Sequence, residues 1–309
     1  MILCCGEALI DFLPVSTAAG KSAFEPHAGG SVHNVAIALG RLEVPTGFFG
    51  GLSSDMFGDV LEKSLATSNV SLALAPRSNR HTTLAFVSIV GGQPRYAFID
   101  EASAGRCITE DEIPALGEDV EALHFGSFQI VNEPIGSALE ALARQNASRR
   151  VITLDPNIRP TLVTDRDSYL ARLARMTALA DIVKLSDEDL AWMVPGVAAK
   201  TWAERTIAHG TKLVVLTKGA EGAEAFAAGR HWRVAPVRTT VADTVGAGDT
   251  FMAGLITALR DAGVLTKAAV ATLPAETVAA ALDFAARAAA ITVSRSGADP
   301  PWRREIGAA

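Results

Sequence analysis

Short runs of apolar residues alternate with amphipathic stretches from about residue 120 onward. The apolar runs cover residues 123–125, 151–155, 182–185 and 213–217, and stretches with helical spacing cover 135–144 and 169–179. Continuous apolar runs of this length are typical of strands that are buried on both faces of a sheet. The alternation therefore predicts an α/β fold, a Rossmann-like parallel sheet with helices on both faces and right-handed crossovers.

The N-terminal part of the chain continues this pattern. Residues 2–10 predict one buried strand with Asp11 at its end, and residues 32–42 predict a helix. In that helix Val35, Leu39 and Leu42 are spaced four and three residues apart, so they share one face.

Two further strands are predicted at residues 83–90 and 95–99, joined around Gly91-Gly92. Two glycines between apolar runs are a hairpin signal. The hairpin does not fit the alternation of strands and helices, so we expect it to lie outside the main sheet.

Polar residues stand at or just after the ends of several predicted strands, namely Asp11, Asp155, Ser186 and Thr217. In open α/β sheets, ligands bind at the carboxyl ends of the strands. The sequence therefore predicts a ligand site at this edge of the sheet.

Composition narrows the class of protein. The chain has 309 residues, 49% of them hydrophobic, and a formal net charge of −6 with no basic run. This balance argues against nucleic acid or an anionic membrane as a partner. Charged residues and Pro274 interrupt the Ala-rich segment 264–293, so no membrane span is predicted. The cysteines, Cys4, Cys5 and Cys107, lack metal-ligand spacing and favour a reducing, cytoplasmic location.

Residues 243–249 carry the strongest functional signal. Their sequence is DTVGAGD; a strand-like segment leads in, and an apolar helix follows from Thr250. Gly246 and Gly248 permit a backbone geometry in which amide groups point to one place, and the helix adds its positive N-terminal end. This predicts a cradle for phosphate, with Asp249 as the acceptor of a proton from an attacking hydroxyl. The alternative is an ordinary strand-to-helix turn with a capping residue.

Residues 28–34, with the sequence AGGSVHN, open the helix predicted at 32–42. The two glycines permit a ligand to approach the backbone closely. Asn34 offers both a hydrogen-bond donor and an acceptor, which suits a polyhydroxylated ligand. The alternative is a flexible loop that ends in a helix cap.

Three more segments follow predicted strands, and each has two interpretations. In residues 155–160 (DPNIRP), Arg159 could neutralise a phosphate, or the prolines could simply define a turn. Residues 217–222 (TKGAEG) could wrap a nucleotide with backbone amides or form a plain hairpin, and they are not a P-loop. Residues 187–189 (DED) could bind Mg²⁺ or favour a helix N-terminus.

Together these motifs resemble the ribokinase-like (PfkB) family of carbohydrate kinases over nearly the whole chain. Residues 243–249 are similar to the family's C-terminal signature, and residues 29–34 with 50–59 are similar to its N-terminal signature. Within the family, residues 6–11, 96–98, 104–106 and 155–159 are most similar to bacterial fructokinases. The resemblance implies a single kinase domain over residues 1–309, with a small β-lid formed by about 12–28 and 80–105. It also implies transfer of a phosphoryl group from ATP, with Mg²⁺, to a sugar hydroxyl, with fructose as the expected sugar.

The resemblance implies roles for individual residues. Asp249 would be the catalytic base, and the amides of Gly246, Ala247, Gly248 and Asp249 would form the anion hole. The residues implied to bind the sugar are Asp11, Gly30, Asn34, Phe98 and Arg106, with Arg159 near the transferred phosphate. Those implied to contact the nucleotide are Lys184, Ser186, Thr217, Lys218, Gly219 and Gly222.

Two features of the family stay open here. Members often carry Asn-x-x-Glu where this chain has residues 186–189 (SDED), so no metal ligands are assigned. Many members bind a monovalent cation with the loop before Gly297, so K⁺ is a further candidate cofactor. The resemblance also implies a homodimer formed through the lid.

Other functions remain in competition with a fructose kinase. A kinase for 2-keto-3-deoxygluconate would need a cation near the substrate carboxylate, and Arg106 or Arg159 could serve. Another small-sugar kinase, or a non-catalytic sensor of sugar or nucleotide, could use the same pocket. A dinucleotide-dependent oxidoreductase is disfavoured because no G-x-G-x-x-G follows the first strand.

Overall fold

The computed structural model describes residues 1–90 and 93–307. In chain order the strands are β1 (Ile2–Cys5), β2 (Leu9–Ser16), β3 (Ser22–Gly29), β4 (Thr46–Phe49), β5 (Leu52–Ser53), β6 (Val70–Ser71), β7 (Arg77–Ser78), β8 (Leu84–Val90), β9 (Gln93–Ile99), β10 (Ala122–Gly126), β11 (Val151–Asp155), β12 (Ile182–Ser186), β13 (Leu213–Thr217), β14 (Ala223–Ala227) and β15 (Arg230–Val234). The α-helices are α1 (Ser31–Arg41), α2 (Met56–Thr67), α3 (Ile135–Asn146), α4 (Arg166–Leu179), α5 (Asp187–Met193), α6 (Ala199–Ala208), α7 (Ala247–Asp261), α8 (Lys267–Val270) and α9 (Ala275–Val293).

A nine-stranded sheet forms the centre of the molecule, in the order β15-β14-β13-β12-β11-β10-β1-β4-β6. Its strands run parallel except at one edge, where β13 with β14 and β14 with β15 pair antiparallel. The predicted runs at 151–155 and 213–217 coincide with β11 and β13. The predicted α/β class is therefore confirmed, while the antiparallel edge was not predicted.

Helices cover both faces of this sheet, and each face has its own core. Ile2 and Cys4 of β1 belong to a cluster that includes Leu39 of α1 and residues of α7 and α9. Leu3 and Cys5 belong to a second cluster with residues of α3, α4 and α6. Because successive side chains of a strand point to opposite faces, β1 contributes to both cores.

Helices α7 and α9 lie unusually close to each other. A β-carbon at Gly254 of α7 would lie only 2.8 Å from the Cα atom of Ala285 in α9. Only glycine at this position permits such an approach, so the two helices are locked together at their contact.

A separate four-stranded sheet has the order β3-β2-β8-β9. Strands β2 and β8 pair parallel, and the other two pairs are antiparallel. The rings of Phe12 and Phe86 stack on this sheet with centroids 4.6 Å apart, and Phe57 of α2 meets Phe12 edge-on. The β8–β9 hairpin thus lies outside the nine-stranded sheet, and its predicted turn at Gly91-Gly92 lies outside the described residues.

The single strand predicted over residues 2–10 is wrong. The chain leaves the nine-stranded sheet after Cys5 and enters the four-stranded sheet at Leu9. Between them the Glu7 carbonyl accepts a hydrogen bond from the His33 amide at 3.1 Å, so this backbone pairs with a helix instead of a strand. Asp11 consequently lies inside β2 and not at the end of a sheet strand.

The strand predicted to lead into residues 243–249 is also not found in the described chain. Residues 235–246 form neither strand nor helix. The amides of Ala242 and Asp243 instead donate to the carbonyl of Val293 at the end of α9, at 2.8 and 3.2 Å. Among the described helices, none combines the length and apolar character that crossing a membrane requires.

Candidate active site

A cavity of about 850 Å³ lies between the four-stranded sheet and the carboxyl ends of β11, β12 and β13. The sequence-predicted site residues that line it are Asp11, Gly30, Asn34, Phe98, Arg159, Lys184, Ser186, Thr217, Gly219, Gly222, Gly246, Ala247, Gly248 and Asp249. Residues far apart in the chain therefore meet in one place, as expected for the ligand edge of an open α/β sheet.

The loop before α7 gives the cavity its anion-binding end. Gly246 is the N-cap of α7 and has a φ of 75°, a left-handed conformation that favours glycine. A β-carbon there would also lie 2.8 Å from the Cβ atom of Ala298. The Ala247 amide donates to the Thr244 carbonyl at 3.3 Å, and the Thr250 amide donates to the Gly246 carbonyl at 2.8 Å. The amides of Gly248 and Asp249 make no such bond to the preceding loop, so they can bind an anion with the help of the helix dipole.

Asp249 lies in the first turn of α7 and is 6% exposed. Its Oδ1 atom accepts hydrogen bonds from the Ser31 hydroxyl at 2.7 Å and from Asn157 Nδ2 at 3.3 Å. Its Oδ2 atom accepts one from Asn34 Nδ2 at 2.9 Å. Burial raises the pKa of Asp249, while the hydrogen bonds from Ser31 and Asn34 lower it. A carboxylate with a raised pKa beside an anion cradle is suited to accept a proton.

Beside this loop lies a buried ion pair. The Lys184 ammonium donates to Asp155 Oδ2 at 2.7 Å, and the two side chains are 5% and 0% exposed. A β-carbon at Gly248 would lie 2.9 Å from Lys184 Nζ, so the ammonium is in contact with the anion-binding loop. Burial alone would lower the pKa of Lys184, but the charges of Asp155 and Asp249 raise it above its usual value. The ammonium therefore stays charged close to the place where a phosphate would sit.

The four-stranded sheet contributes Asp11 and Phe98 to the cavity. Burial raises the pKa of Asp11 to about 6, and the charge of Arg159 opposes this shift. The Phe98 ring lies 5.4 Å from the ring of Phe128, which follows β10. Polar and aromatic groups from the sheet thus face the polar groups of α1 across the cavity.

Ser186, Thr217, Gly219 and Gly222 line the opposite end of the cavity. Ser186 is the N-cap of α5 and forms a capping box with Asp189. The capping interpretation of residues 187–189 thus holds for Asp189, whose Oδ1 atom also accepts the Ile158 amide at 2.8 Å. Residues 217–222 form the turn of a hairpin, because Thr217 pairs with Ala223 across β13 and β14, and contact of this turn with a nucleotide stays a prediction.

Two predicted site residues do not reach the cavity. The Arg106 side chain donates to the carbonyl of Glu133 at 3.1 Å and lies 3.8 Å from the buried carboxylate of Asp100. The Lys218 ammonium donates to Glu224 at 2.9 Å. In both cases a nearby acidic or carbonyl oxygen holds the cation, so these two predictions are not supported by the geometry.

Glu7 and Ser31 belong to the site although no sequence motif indicated a role for them, whereas Asp155 was expected at the ligand edge without a specific role. Glu7 lines the cavity and accepts the Ser31 amide at 2.7 Å. The available signal was the pair Gly29-Gly30 before Ser31, which leaves the helix without a capping side chain of its own. Within residues 1–90 and 93–307, no cluster of three or more His, Cys, Asp or Glu side chains is arranged to hold a metal ion.

The fold and the cavity define a phosphotransferase that acts on a hydroxyl group, since an anion cradle and a buried carboxylate meet in one cavity. A family model, "pfkB family carbohydrate kinase", matches residues 1–304. The chain belongs to this family and is a carbohydrate kinase.

Individual relatives agree with this assignment. A fructokinase of Rhizobium leguminosarum bv. trifolii is 51% identical over 273 residues, which cover 88% of this chain and 84% of the relative. The structure of a fructokinase with bound ATP from Xylella fastidiosa matches with a TM-score of 0.90 at 29% identity, over 99% and 96% of the two chains. A Vibrio cholerae fructokinase double mutant with fructose, ADP and a potassium ion matches with a TM-score of 0.84 at 25% identity, over 96% and 93%.

Proposed function

We propose that this carbohydrate kinase transfers the γ-phosphoryl group of ATP to fructose and forms fructose 6-phosphate. The observation that carries the proposal is the position of Asp249. It is buried at the N-terminus of α7, between the anion-binding loop and Asn34, a residue expected to bind the sugar. The names of the relatives supply the sugar, and the polar side chains of Asp11 and Asn34 in the cavity lining are compatible with it.

In this proposal the chain performs three tasks. Asp11, Gly30 and Asn34 bind sugar hydroxyls, and Asp249 accepts the proton of the attacking hydroxyl. The amides of residues 246–249 hold the transferred phosphoryl group, with Lys184 and Arg159 supplying positive charge nearby. The nucleotide lies along Ser186, Thr217, Gly219 and Gly222. Closure of the four-stranded sheet over the sugar excludes water and so limits hydrolysis of ATP.

Magnesium is the proposed companion of ATP. Mg²⁺ prefers oxygen ligands and is usually held by substrate phosphates with one or two carboxylates. The carboxylates of Asp187 and Glu188 are exposed at the start of α5 and line the cavity, so they fit this chemistry. When bound with ATP, the ion would neutralise the charge that develops on the phosphates.

A coupled assay of ADP release over a panel of sugars tests the function. We expect turnover with fructose and Mg²⁺, and loss of turnover when Mg²⁺ is chelated. Faster turnover with 2-keto-3-deoxygluconate would show that this keto acid, and not fructose, is the substrate. Arg106, one of the two candidate partners for its carboxylate, already lies beside Asp100. Tight sugar binding without ADP release would indicate a sensor. The same assay with and without K⁺ decides whether this cation is also required.

We also propose a homodimer through the four-stranded sheet. Among the side chains that the structure describes, Phe24 and Ile99 are exposed on the face of this sheet opposite to Asp11 and Phe98. Exposed apolar side chains on one face of a sheet favour association with a partner. Light scattering at micromolar concentration should give a molar mass twice that of one chain. The Phe24→Lys variant should give the mass of a single chain.

A cytoplasmic location is the last part of the proposal. Cys4, Cys5 and Cys107 are free thiols, and burial raises the pKa of Cys4 and Cys5, so both stay protonated. Free thiols are typical of reducing compartments. Cell fractionation followed by immunoblotting checks this location.

A further inference from the structure

Helix α1 begins without a capping side chain of its own. Its N-cap is Gly30, and Glu7 supplies the missing acceptor from the segment between β1 and β2. Glu7 Oε1 accepts hydrogen bonds from the amides of Ser31 at 2.7 Å and Val32 at 3.4 Å. The Glu7 carbonyl accepts the amide of His33 at 3.1 Å. The first turn of α1 is therefore fixed by a residue more than twenty positions away.

That first turn carries two of the three side chains that hold Asp249. The Ser31 hydroxyl donates to Oδ1 at 2.7 Å, and Asn34 Nδ2 donates to Oδ2 at 2.9 Å. Asn157 Nδ2 adds a second donor to Oδ1 at 3.3 Å. Each oxygen of a carboxylate can accept about two hydrogen bonds. Among the residues that the structure describes, Oδ1 thus has two donors and Oδ2 has one, which leaves a lone pair of Oδ2 for a further donor.

The burial of Glu7 also calls for an explanation. The residue is 1% exposed, and its Oε2 atom has no hydrogen-bond partner among the described residues. Burying a carboxyl group with one oxygen unpaired opposes folding. An apolar residue at this position would leave the Ser31 amide without its acceptor, so the carboxyl group is needed to fix the turn that carries Ser31 and Asn34.

We propose that Glu7 and Ser31 are positioning residues that orient Asp249 so that its Oδ2 atom receives the substrate proton. The inference rests on the proposed function. In that reaction the sugar oxygen forms a bond to the γ-phosphorus, and its proton passes to Asp249 Oδ2. The bond from the γ-phosphorus to the bridging oxygen breaks, and ADP leaves with that electron pair. Glu7 and Ser31 touch none of these atoms and act through Asp249.

Ser31→Ala tests this assignment directly. We expect kcat to fall about tenfold to a hundredfold, because a hydrogen bond to a charged group is lost. The KM for the sugar and the Kd for the nucleotide should stay within about twofold, because neither ligand is bound by the Ser31 hydroxyl. Ser137→Ala is the matched control. The Ser137 hydroxyl donates a hydrogen bond of 3.0 Å to the Glu133 carboxylate, and this pair does not line the cavity. This control should leave kcat unchanged.

The pH dependence of kcat/KM provides a second readout. The Ser31 hydroxyl stabilises ionised Asp249, so its removal should move the acidic limb of the profile up by about one pH unit. The charged groups that face Asp249 are Asp155 of β11 and Lys184 of β12, and Glu7 lies behind the first turn of α1. All three remain in the Ser31→Ala variant, so a shifted limb would belong to the lost hydroxyl.

Conservative variants separate positioning from folding. Ser31→Thr keeps the hydroxyl and should retain more activity than Ser31→Ala. Glu7→Gln keeps an oxygen acceptor for the Ser31 amide and should retain most of kcat, whereas Glu7→Ala should not. Circular dichroism confirms that each variant is folded. The proposal is overturned if Ser31→Ala keeps wild-type kcat and the same acidic limb while Asp249→Asn is inactive. If Asp249→Asn is itself active, Asp249 is not the base and the positioning proposal falls with it. Absence of ADP release with every sugar in the wild-type protein would instead overturn the proposed function.

Discussion

Replacing Lys184 by Met would show how much the buried ion pair beside the phosphate loop contributes to folding and to turnover. The Lys184 ammonium lies 2.7 Å from Asp155, in side chains that are 5% and 0% exposed. Methionine keeps much of the side-chain length but leaves the Asp155 carboxylate buried without its cation. Breaking a buried pair in this way costs about 3–5 kcal/mol. We therefore expect the free energy of unfolding, measured with urea and circular dichroism, to fall by about that amount.

The double variant Lys184→Met with Asp155→Asn removes both charges. Stability should recover by most of the loss, because the carboxylate that pairs directly with Lys184 is gone, while Asp249 keeps its hydrogen bonds from Ser31, Asn34 and Asn157. Turnover should not recover, because the positive charge beside Gly248 is still missing. Loss of one such stabilising group lowers kcat by about a hundredfold to a thousandfold. The double variant should therefore be more stable than Lys184→Met but no more active. Urea unfolding measures the stability, and an ADP-release assay measures kcat.

Lys200→Met is the matched control on the surface. Lys200 lies 3.8 Å from Glu204, and the side chains are 72% and 63% exposed. Exposed pairs of this kind contribute about 0–1 kcal/mol. If Lys184→Met were no more destabilising than Lys200→Met, or if the double variant regained wild-type kcat, the reasoning about the buried pair would be refuted.

Three further variants test other parts of the site. Asp249→Asn should lower kcat by about 10²- to 10⁴-fold in the ADP-release assay while calorimetry shows unchanged nucleotide binding; near-normal kcat would show that Asp249 is not the base. Gly246→Ala places a β-carbon 2.8 Å from Ala298 Cβ at a φ of 75°, so we expect a lower melting temperature and a higher KM for ATP; unchanged values of both would contradict the strain argument. Burial raises the pKa of Glu7 from 4.5 to about 7, so its contribution to stability is full below pH 4.5 and is lost as the pH rises through about 7. This contribution of Glu7 to the free energy of unfolding is about 3 kcal/mol. In urea unfolding, the difference between the free energies at pH 5 and pH 8 should therefore be smaller for Glu7→Gln than for the wild type, and equal differences would contradict the assignment.

Much of the fold could be predicted from the sequence, because buried parallel strands are local apolar runs. The runs at 151–155 and 213–217 coincide with β11 and β13. The break between β1 and β2 was missed because residues 2–10 are almost continuously apolar, and the hydrogen bond from His33 that redirects the chain joins distant segments. Pattern analysis detects periodicity within a segment but not a partner elsewhere in the chain.

In the candidate site, too, local motifs could be predicted from the sequence, whereas contacts between distant segments could not. The segment 243–249 could be recognised because its glycines and Asp249 are contiguous. The contact from Ser31 to Asp249 joins residues 218 positions apart, so no local signal revealed it. The sugar-binding role of Arg106 stays a prediction, and in the folded chain its guanidinium lies 3.8 Å from the buried carboxylate of Asp100. Identity and spacing indicated which residue types are useful, while the tertiary fold decided which of them are free to act.

The close contact of Gly254 with Ala285 has a consequence for how substrate choice can change. At Gly254 the backbone of α7 packs directly against α9, so movement of α7 toward α9 is opposed, and the carboxylate at its first turn is held in place with it. The substrates must instead bind so that their reacting atoms reach Asp249 and the loop before α7, which keep their positions. New acceptor sugars should therefore be obtained by exchanging strands β2, β3, β8 and β9 between homologues, whereas altering the α7–α9 seam should damage every reaction equally.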